Sequence, residues 1–320
     1  MTFPSVSRRL APILLALVLL GPGSALAEPF VVSRDIGYSD VAANPYENQL
    51  DVYLPKTPAA RPAPVVVWVH GGGWYQGNKD LVVADKARKF IRSGFLFVSV
   101  NYRLSPRVTD PGSLAPGRTM FPDQPNDVAA AIGWVDENIS GFGGDPDRLV
   151  LMGHSAGGHL VSLLATQPRF IRSAGAVPGQ VRGVISLDAV GLDIRPLTDP
   201  KSKARSDHIK PVYWNAFGTP KENEDLDRWK RASPLEYAGP RDPPFFFVVQ
   251  NDEPLRIRES KTMARRLGQR VDPSVLEVPL THRQINHHFG RLPDRLGETR
   301  MALAFAKRVA RPATSGSAGG

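Results

Sequence analysis

The stretch from Arg148 to Ala165 limits what this chain can fold into more than any other. Leu149 to Met152 form an apolar run of strand length, the run stops at Gly153, a turn of small residues follows, and from Leu160 onward apolar side chains recur at helical spacing. A buried strand passing through a sharp turn straight into a buried helix is the repeating unit of a parallel sheet with helices on its faces. Ser155 sits at the apex of the turn, within Gly153-His154-Ser155-Ala156-Gly157. The two flanking glycines let strand and helix approach closely while the strained turn pushes the hydroxyl outward. The same five residues also describe an ordinary strand-to-helix loop, so the neighbouring segments have to decide between the two.

Those segments extend the α/β pattern. Phe30 to Tyr38 and Leu50 to Leu54 read as two short strands of an antiparallel edge hairpin. Pro64 to Val69 is a β-branched run of the kind buried on both sheet faces, and it ends at His70-Gly71-Gly72-Gly73-Trp74. Asp80 to Ser93 has helical spacing and Phe95 to Val100 is the next strand, which implies parallel pairing across the helix. Residues 104–122, rich in Pro and Gly, read as a functional loop walling a pocket. A helix follows over Asp123 to Ile139 with Asp123 as its cap, then the central strand, then a strand over Val181 to Val190. Residues 191–243 form a proline-punctuated, cap-like insertion with a helix signal at 225–231. Pro244 to Val249 and Val275 to Leu280 are the seventh and eighth strands, separated by a helix over Leu255 to Leu267 and followed by one over Arg295 to Val309. The expectation is a mostly parallel eight-stranded sheet with helices on both faces, one domain over residues 28–311, and a disordered tail over 312–320.

Several classes fall away on composition. Arg8 and Arg9, the apolar run Leu10 to Leu20 and the Ala25-Leu26-Ala27 site match a secretory signal peptide cleaved after Ala27, so residues 1–27 predict export to the periplasm or beyond. That run is short for a membrane span and nothing later rivals it, so the mature chain is expected to be soluble. There is no cysteine, which excludes disulfides, thiolate catalysis and cysteine-bound metal. The net charge of +9 is spread along the chain without a Lys/Arg block or a nucleic-acid motif, so no nucleic-acid partner is expected. His282, His287 and His288 lack a carboxylate at ligand spacing and a His-Glu-x-x-His pattern, so neither a metal nor any other cofactor is expected.

The residues with chemical potential fall where parallel strands end, which is where open α/β sheets bind ligands. His70 to Trp74 follow the third strand, Ser155 the fifth, Gln250 to Glu253 the seventh, and Thr281-His282 the eighth. Serine, then aspartate, then histidine is the chain order of an α/β-hydrolase triad. At this point the chain resembles the α/β-hydrolase superfamily. Within it, the likeness is to carboxylesterases carrying His-Gly-Gly-Gly-Trp, related to hormone-sensitive lipase and to kynurenine-formamidase-like enzymes. Val100-Asn-Tyr-Arg-Leu104, Phe121-Pro122 with Asp127-Val128, Gly144-Asp-Pro-Asp-Arg148 and Ala232-Ser-Pro234 carry the same likeness.

The resemblance implies a serine hydrolase that opens carboxylic esters through an acyl-enzyme, with a small-molecule ester as its partner. Ser155 would be the nucleophile, and Gly72, Gly73 and Ala156 would supply oxyanion-hole N–H groups. Asp252 would be the acid, by its position just past the seventh strand, with Glu253 as its rival. His282 would be the base, by its position after the eighth strand, although a competing register offers His287 or His288 before Phe289. His154 and His159 read as an elbow filler and a packed helix residue. Trp74, Tyr75 and Tyr102 either line the pocket or pack beside the sheet edge. An arylformamidase or amidase working through the same site, and a catalytically silent binding protein on the same fold, remain alternatives.

Overall fold

The computed structural model describes residues 28–106, 114, 117–204, 209–223 and 227–312. The expected signal peptide over 1–27, parts of the 104–122 loop and of the insertion, and the tail from 313 lie outside the described residues. Eight strands form one sheet: β1 (Phe30–Gly37), β2 (Gln49–Pro55), β3 (Ala63–Val69), β4 (Leu96–Val100), β5 (Gly144–His154), β6 (Val181–Leu187), β7 (Phe245–Gln250) and β8 (Val275–Val278). Their order is β1-β2-β4-β3-β5-β6-β7-β8; β2 pairs antiparallel with β1 and β4, and all other pairs are parallel. The helices are α1 (Ala84–Arg92), α2 (Asp123–Asn138), α3 (Ala156–Thr166), α4 (Arg169–Ser173), α5 (Arg195–Thr198), α6 (Lys210–Phe217), α7 (Pro220–Asn223), α8 (Arg228–Arg231), α9 (Pro234–Tyr237), α10 (Pro254–Arg266), α11 (Val271–Ser274), α12 (His282–His288) and α13 (Glu298–Val309).

The continuous apolar strands are explained by two cores. Side chains alternate across a strand, so Val65, Val67, Val69, Leu149 and Leu151 join α2 and α3 on one face. Val66, Trp68, Val150 and Met152 join α1 and α13 on the other. Both faces are therefore covered, and no alternation of apolar and polar residues is needed. The described part of the insertion packs Leu192, Ile194, Leu197, Phe217 and Trp229 into the α2–α3 core. It is a flank of that layer, which is more than the cap-like addition expected from the sequence.

Of the boundaries that differ from the sequence reading, three have a clear local reason. Helix α1 starts at Ala84, not Asp80, because Val82 takes φ 55° and breaks the turn before it. Asp123 is the first residue of α2 and not its cap; its carboxylate turns back to accept the Met120 N–H at 3.2 Å. Strand β6 stops at Leu187 because Asp188 takes φ 46°, turning its side chain out of the sheet run. From β3 the chain runs through α1 to β4 on one side, then returns to β5 on the other side of β3. That reversal opens a crevice at the carboxyl ends of β3 and β5, the usual place for a ligand in such a sheet.

Candidate active site

The crevice is built from close backbone approach. Strands β3 and β5 end level, with Val69 opposite Gly153, and β5 ends level with β6, with His154 opposite Leu187. A Cβ on Gly157 would lie 2.1 Å from the Val69 carbonyl oxygen, and one on Gly153 would lie 2.4 Å from the Gly157 carbonyl carbon. Only glycine lets α3 start this close to β3. Between them Ser155 is held at φ 55°, ψ −120°, a conformation that costs on the order of 1–3 kcal/mol for a residue with a side chain. Its N–H is tied to the Leu187 carbonyl at 3.0 Å, and its own carbonyl accepts the His159 N–H at 3.0 Å. The surrounding sheet and helix thus over-determine the strained turn and aim the hydroxyl into the crevice.

Ser155 Oγ lies 2.8 Å from His282 Nε2, and His282 Nδ1 lies 2.6 Å from Asp188 Oδ2. The partners assign the tautomer: Nδ1–H donates to the carboxylate, and Nε2 is left to accept the serine proton. Helix α12 starts at His282, behind a Thr281 cap whose hydroxyl accepts the Gln284 N–H. His154 fixes the same residue from below, with its Nε2 donating to the His282 carbonyl at 3.0 Å and its ring 4.5 Å from the His282 ring. Burial holds the His154 imidazole neutral, well below its usual range.

Asp188 is wholly buried. Its Oδ1 accepts the Gln250 N–H at 3.1 Å, while Oδ2 accepts from both His282 and Arg256. Burial pushes its carboxyl up, but the His282 hydrogen bond and the Arg256 charge outweigh this and leave it below the ordinary carboxylate range. Asp252, expected from the sequence as the acid, is not brought to His282. It stands exposed in the turn after β7, where the Gln250 side-chain amide takes its carboxylate. This corrects the sequence expectation: the strand end that faces the imidazole is that of β6. Glu253, the rival acid, points to Arg256 instead, 3.6 Å from Nη2. His287 and His288 also stay away from Ser155; the first meets Arg283 on the outer side of α12, and the second lines a separate surface groove.

The glycine loop closes the other wall. Gly72 takes φ 123° and Gly73 φ 62°, and a Cβ on Gly72 would fall 1.9 Å from the Gln76 carbonyl oxygen. The Gly72 carbonyl accepts the N–H groups of Tyr75 and Gln76, so the loop is a closed turn. Among the described residues no acceptor takes the N–H of Gly72 or Gly73. Ala156 opens α3, where the first N–H groups have no partner within the helix and the dipole favours negative charge. His70 braces the loop with Nδ1 donating to the Gly71 carbonyl at 2.7 Å and its ring stacked on Tyr102; burial lowers its pKa to about 4, so it stays neutral.

Ser155, His282, the three glycines, Tyr75, Arg283 and Asn286 line one cavity of about 450 Å³. Of the candidate aromatics only Tyr75 lines it. Trp74 and Tyr102 are buried, Trp74 packing edge-on against His159 and Phe217. His159 is a packed helix residue whose Nε2 donates to the Ala232 carbonyl at 2.7 Å, tying α3 to the insertion.

The chain is similar to known proteins over most of its length. A family model described as BD-FAE matches residues 50–267. The probable carboxylic ester hydrolase LipM of Mycobacterium tuberculosis is 30% identical over 275 residues, covering 84% of this chain and 58% of that protein. Esterase LipQ of the same organism is 29% identical over 222 residues, covering 68% and 49%. The chain thus spans about half the length of these curated relatives. Among solved structures, a truncated carbohydrate esterase from gut microbiota superposes with a TM-score of 0.68 at 18% identity, covering 89% of this chain and 98% of that one. The carboxylesterase EstE1, cloned from a metagenomic library, gives 0.62 at 21% identity, covering 88% and 90%. At these identities the structural likeness establishes the α/β-hydrolase fold.

Proposed function

The chain belongs to the BD-FAE family of α/β-hydrolase-fold proteins, and from that premise we propose that it is a serine carboxylesterase with Ser155, His282 and Asp188 as its triad. The observation that carries this reading is the continuous line from Ser155 Oγ to His282 at 2.8 Å and on to Asp188 at 2.6 Å, facing a cavity walled by a glycine loop. As Ser155 Oγ attacks an ester carbonyl, its proton passes to His282 Nε2, and Asp188 stabilises the imidazolium that forms. The carbonyl oxygen gains negative charge beside the N–H groups of Gly72, Gly73 and Ala156, each such donor contributing roughly 3 kcal/mol to the transition state. His282 then returns the proton to the leaving alkoxide. Water repeats the sequence on the acyl-enzyme, releases the acid and restores Ser155.

A cavity of about 450 Å³ is of the size that takes a small-molecule ester. The ester hydrolase LipM and the esterase LipQ, named above, support an ester as substrate. Export directed by residues 1–27 is part of the same reading, and the amino terminus of the mature protein, expected at Glu28, tests it separately.

The enzymatic test is hydrolysis of nitrophenyl acetate, butyrate and octanoate by the parent and by Ser155→Ala, with fluorophosphonate labelling of both. Turnover and labelling are expected in the parent alone. A folded parent that neither turns over any ester nor takes the label at Ser155 refutes the proposal and favours a binding protein.

A further inference from the structure

We propose that Arg256 is a positioning residue for the triad: it clamps the Asp188 carboxylate in line with His282 Nδ1–H and sets a fixed cation beside the imidazole. The inference rests on the triad reading above and concerns a residue on a different element, α10, that does not itself line the cavity.

The placement is specific. Arg256 lies in the first turn of α10, and its side chain is only 11% exposed. Nη1 is 2.5 Å from Asp188 Oδ2, the same oxygen that takes the His282 Nδ1–H. Nη1 is also 3.3 Å from His282 Nδ1 itself. Nδ1 already carries the proton given to Asp188, so this second approach sets a cation beside the imidazole edge without a hydrogen bond. The guanidinium is steered there by the Gln250 side-chain oxygen at 3.4 Å and by Glu253, while its buried Nε has no partner among the described residues. An arginine serving only surface charge would keep its donors in water or spread them on the exposed Asp252. This one instead gives up hydration to reach a buried carboxylate.

Such a cation has two effects on the base. It fixes the rotation of Asp188, so that Oδ2 stays in line with Nδ1–H, and it offsets part of the negative field that would otherwise favour the imidazolium. The remaining groups around His282 do not do the same work. His154, at the end of β5, is buried and neutral. Lys86 of α1 donates to the Val82 and Asn286 carbonyls, and burial lowers its pKa to about 7, so its charge changes near neutrality in parent and variant alike; Arg283 is exposed on α12, where water screens it. Ser155 is uncharged, and the Glu253 carboxylate faces Arg256. Arg256 is thus the cation placed to set the acid limb of the rate profile.

The test is the pH dependence of kcat and kcat/KM on nitrophenyl butyrate for the parent, Arg256→Gln and Arg256→Lys. In the Gln variant the acid limb of kcat/KM is expected to move up by about one pH unit or more, because a unit charge 3.3 Å away is worth roughly one unit even at the dielectric of bulk water. Plateau kcat should fall less than tenfold, and KM should change less than twofold. Lysine, a cation without the planar fork, should return the limb most of the way towards the parent. A residue that only supported α10 would lower plateau activity without moving the limb. If Arg256→Gln is recovered unfolded, Arg256→Met, which keeps the aliphatic stem, carries the same expectation. An acid limb that stays in place in a folded neutral variant overturns the inference. In that event an inactive Asp188→Asn would leave the triad reading standing, whereas a fully active Asp188→Asn would remove both.

Discussion

Asp188 and Asp252 can be told apart by one pair of substitutions, each replacing a carboxylate with its amide. Asp188 presents two oxygens to three donors: the Gln250 N–H to Oδ1, and His282 and Arg256 to Oδ2. Asparagine offers only one acceptor oxygen. Arg256 is always charged and Gln250 is held by the sheet, so in Asp188→Asn the new amide nitrogen would turn towards one of the three donors. Turned towards His282, it would require Nδ1 to accept, place the imidazole proton on Nε2 and leave nothing to receive the serine proton at 2.8 Å. The comparable change in a well-studied Ser-His-Asp protease lowers kcat by about 10⁴, which corresponds to about 5.5 kcal/mol of transition-state stabilisation. A loss of that order is expected for Asp188→Asn, with KM nearly unchanged because the cavity lining is untouched. Asp252 is exposed and, among the described residues, meets only the Gln250 amide, so Asp252→Asn should stay within about twofold of the parent. Both variants would be assayed on nitrophenyl butyrate after circular dichroism shows that they fold. If Asp252→Asn loses a hundredfold or more while Asp188→Asn keeps near-parent turnover, the geometric assignment of the acid is refuted.

Two further outcomes follow from packing and burial. Gly157→Ala would drive a methyl group to 2.1 Å from the Val69 carbonyl and 2.5 Å from that of His70, both backbone atoms that cannot yield cheaply. Helix α3 should shift away from β3 and take Ala156 and Ser155 with it, lowering kcat on nitrophenyl butyrate about a hundredfold or more; parent-like kcat would show that the junction is looser than described. Glu259 of α10 is buried with neither carboxyl oxygen in a well-formed hydrogen bond, and burial pushes its pKa up to about 8 from an ordinary 4.5. A raised folded pKa means that the native state holds a proton the unfolded chain has released. Stability should therefore be fullest below about pH 4.5 and decline as pH rises towards 8. At pH 7 the cost is on the order of 3 kcal/mol. Glu259→Gln should remove this pH slope and raise stability in urea unfolding at pH 7; equal slopes for parent and variant between pH 5 and pH 8 would count against it.

The legible parts of the fold are those where side-chain pattern and burial agree. Val65 to Val69, Phe95 to Val98 and Leu149 to Met152 are apolar because both faces of the sheet are covered, and their short length and β-branched or aromatic content mark them as strands. The insertion is different. Its helices α5 to α9 run from four to eight residues, too short for a 3.6-residue period to show, and they hold their places through contacts such as the Trp214 indole N–H on the Thr198 carbonyl. Contacts between segments distant in sequence leave no local signature. The start of α1 is hidden for a similar reason, since the positive φ of Val82 belongs to a residue type that rarely adopts it.

The site divides along the same line. Ser155 and the glycine loop are readable because only small residues fit where backbone meets backbone, whereas the acid is one of several aspartates that chain order cannot separate, with Asp188 and Asp252 the two that directly follow strands β6 and β7. Both Asp188 and Asp252 fall after Ser155 and before His282. Their strands, β6 and β7, are neighbours in register, with Leu187 opposite Val248, so both loops open at the same edge of the sheet. What separates them is desolvation. A carboxylate at the end of the apolar run Val184-Ile-Ser-Leu-Asp-Ala-Val190 has to be turned out of the sheet or supplied with donors, because a buried, unpaired charge would cost several kcal/mol. Asp188 has both, a backbone at φ 46° and three donors, and one of those donors is the imidazole. Asp252 has water and a neighbouring amide. The signal in the sequence was therefore a charge in the wrong place for a strand, and an unexplained buried carboxylate at a strand's carboxyl end points to a functional acid more strongly than a well-solvated one in a turn.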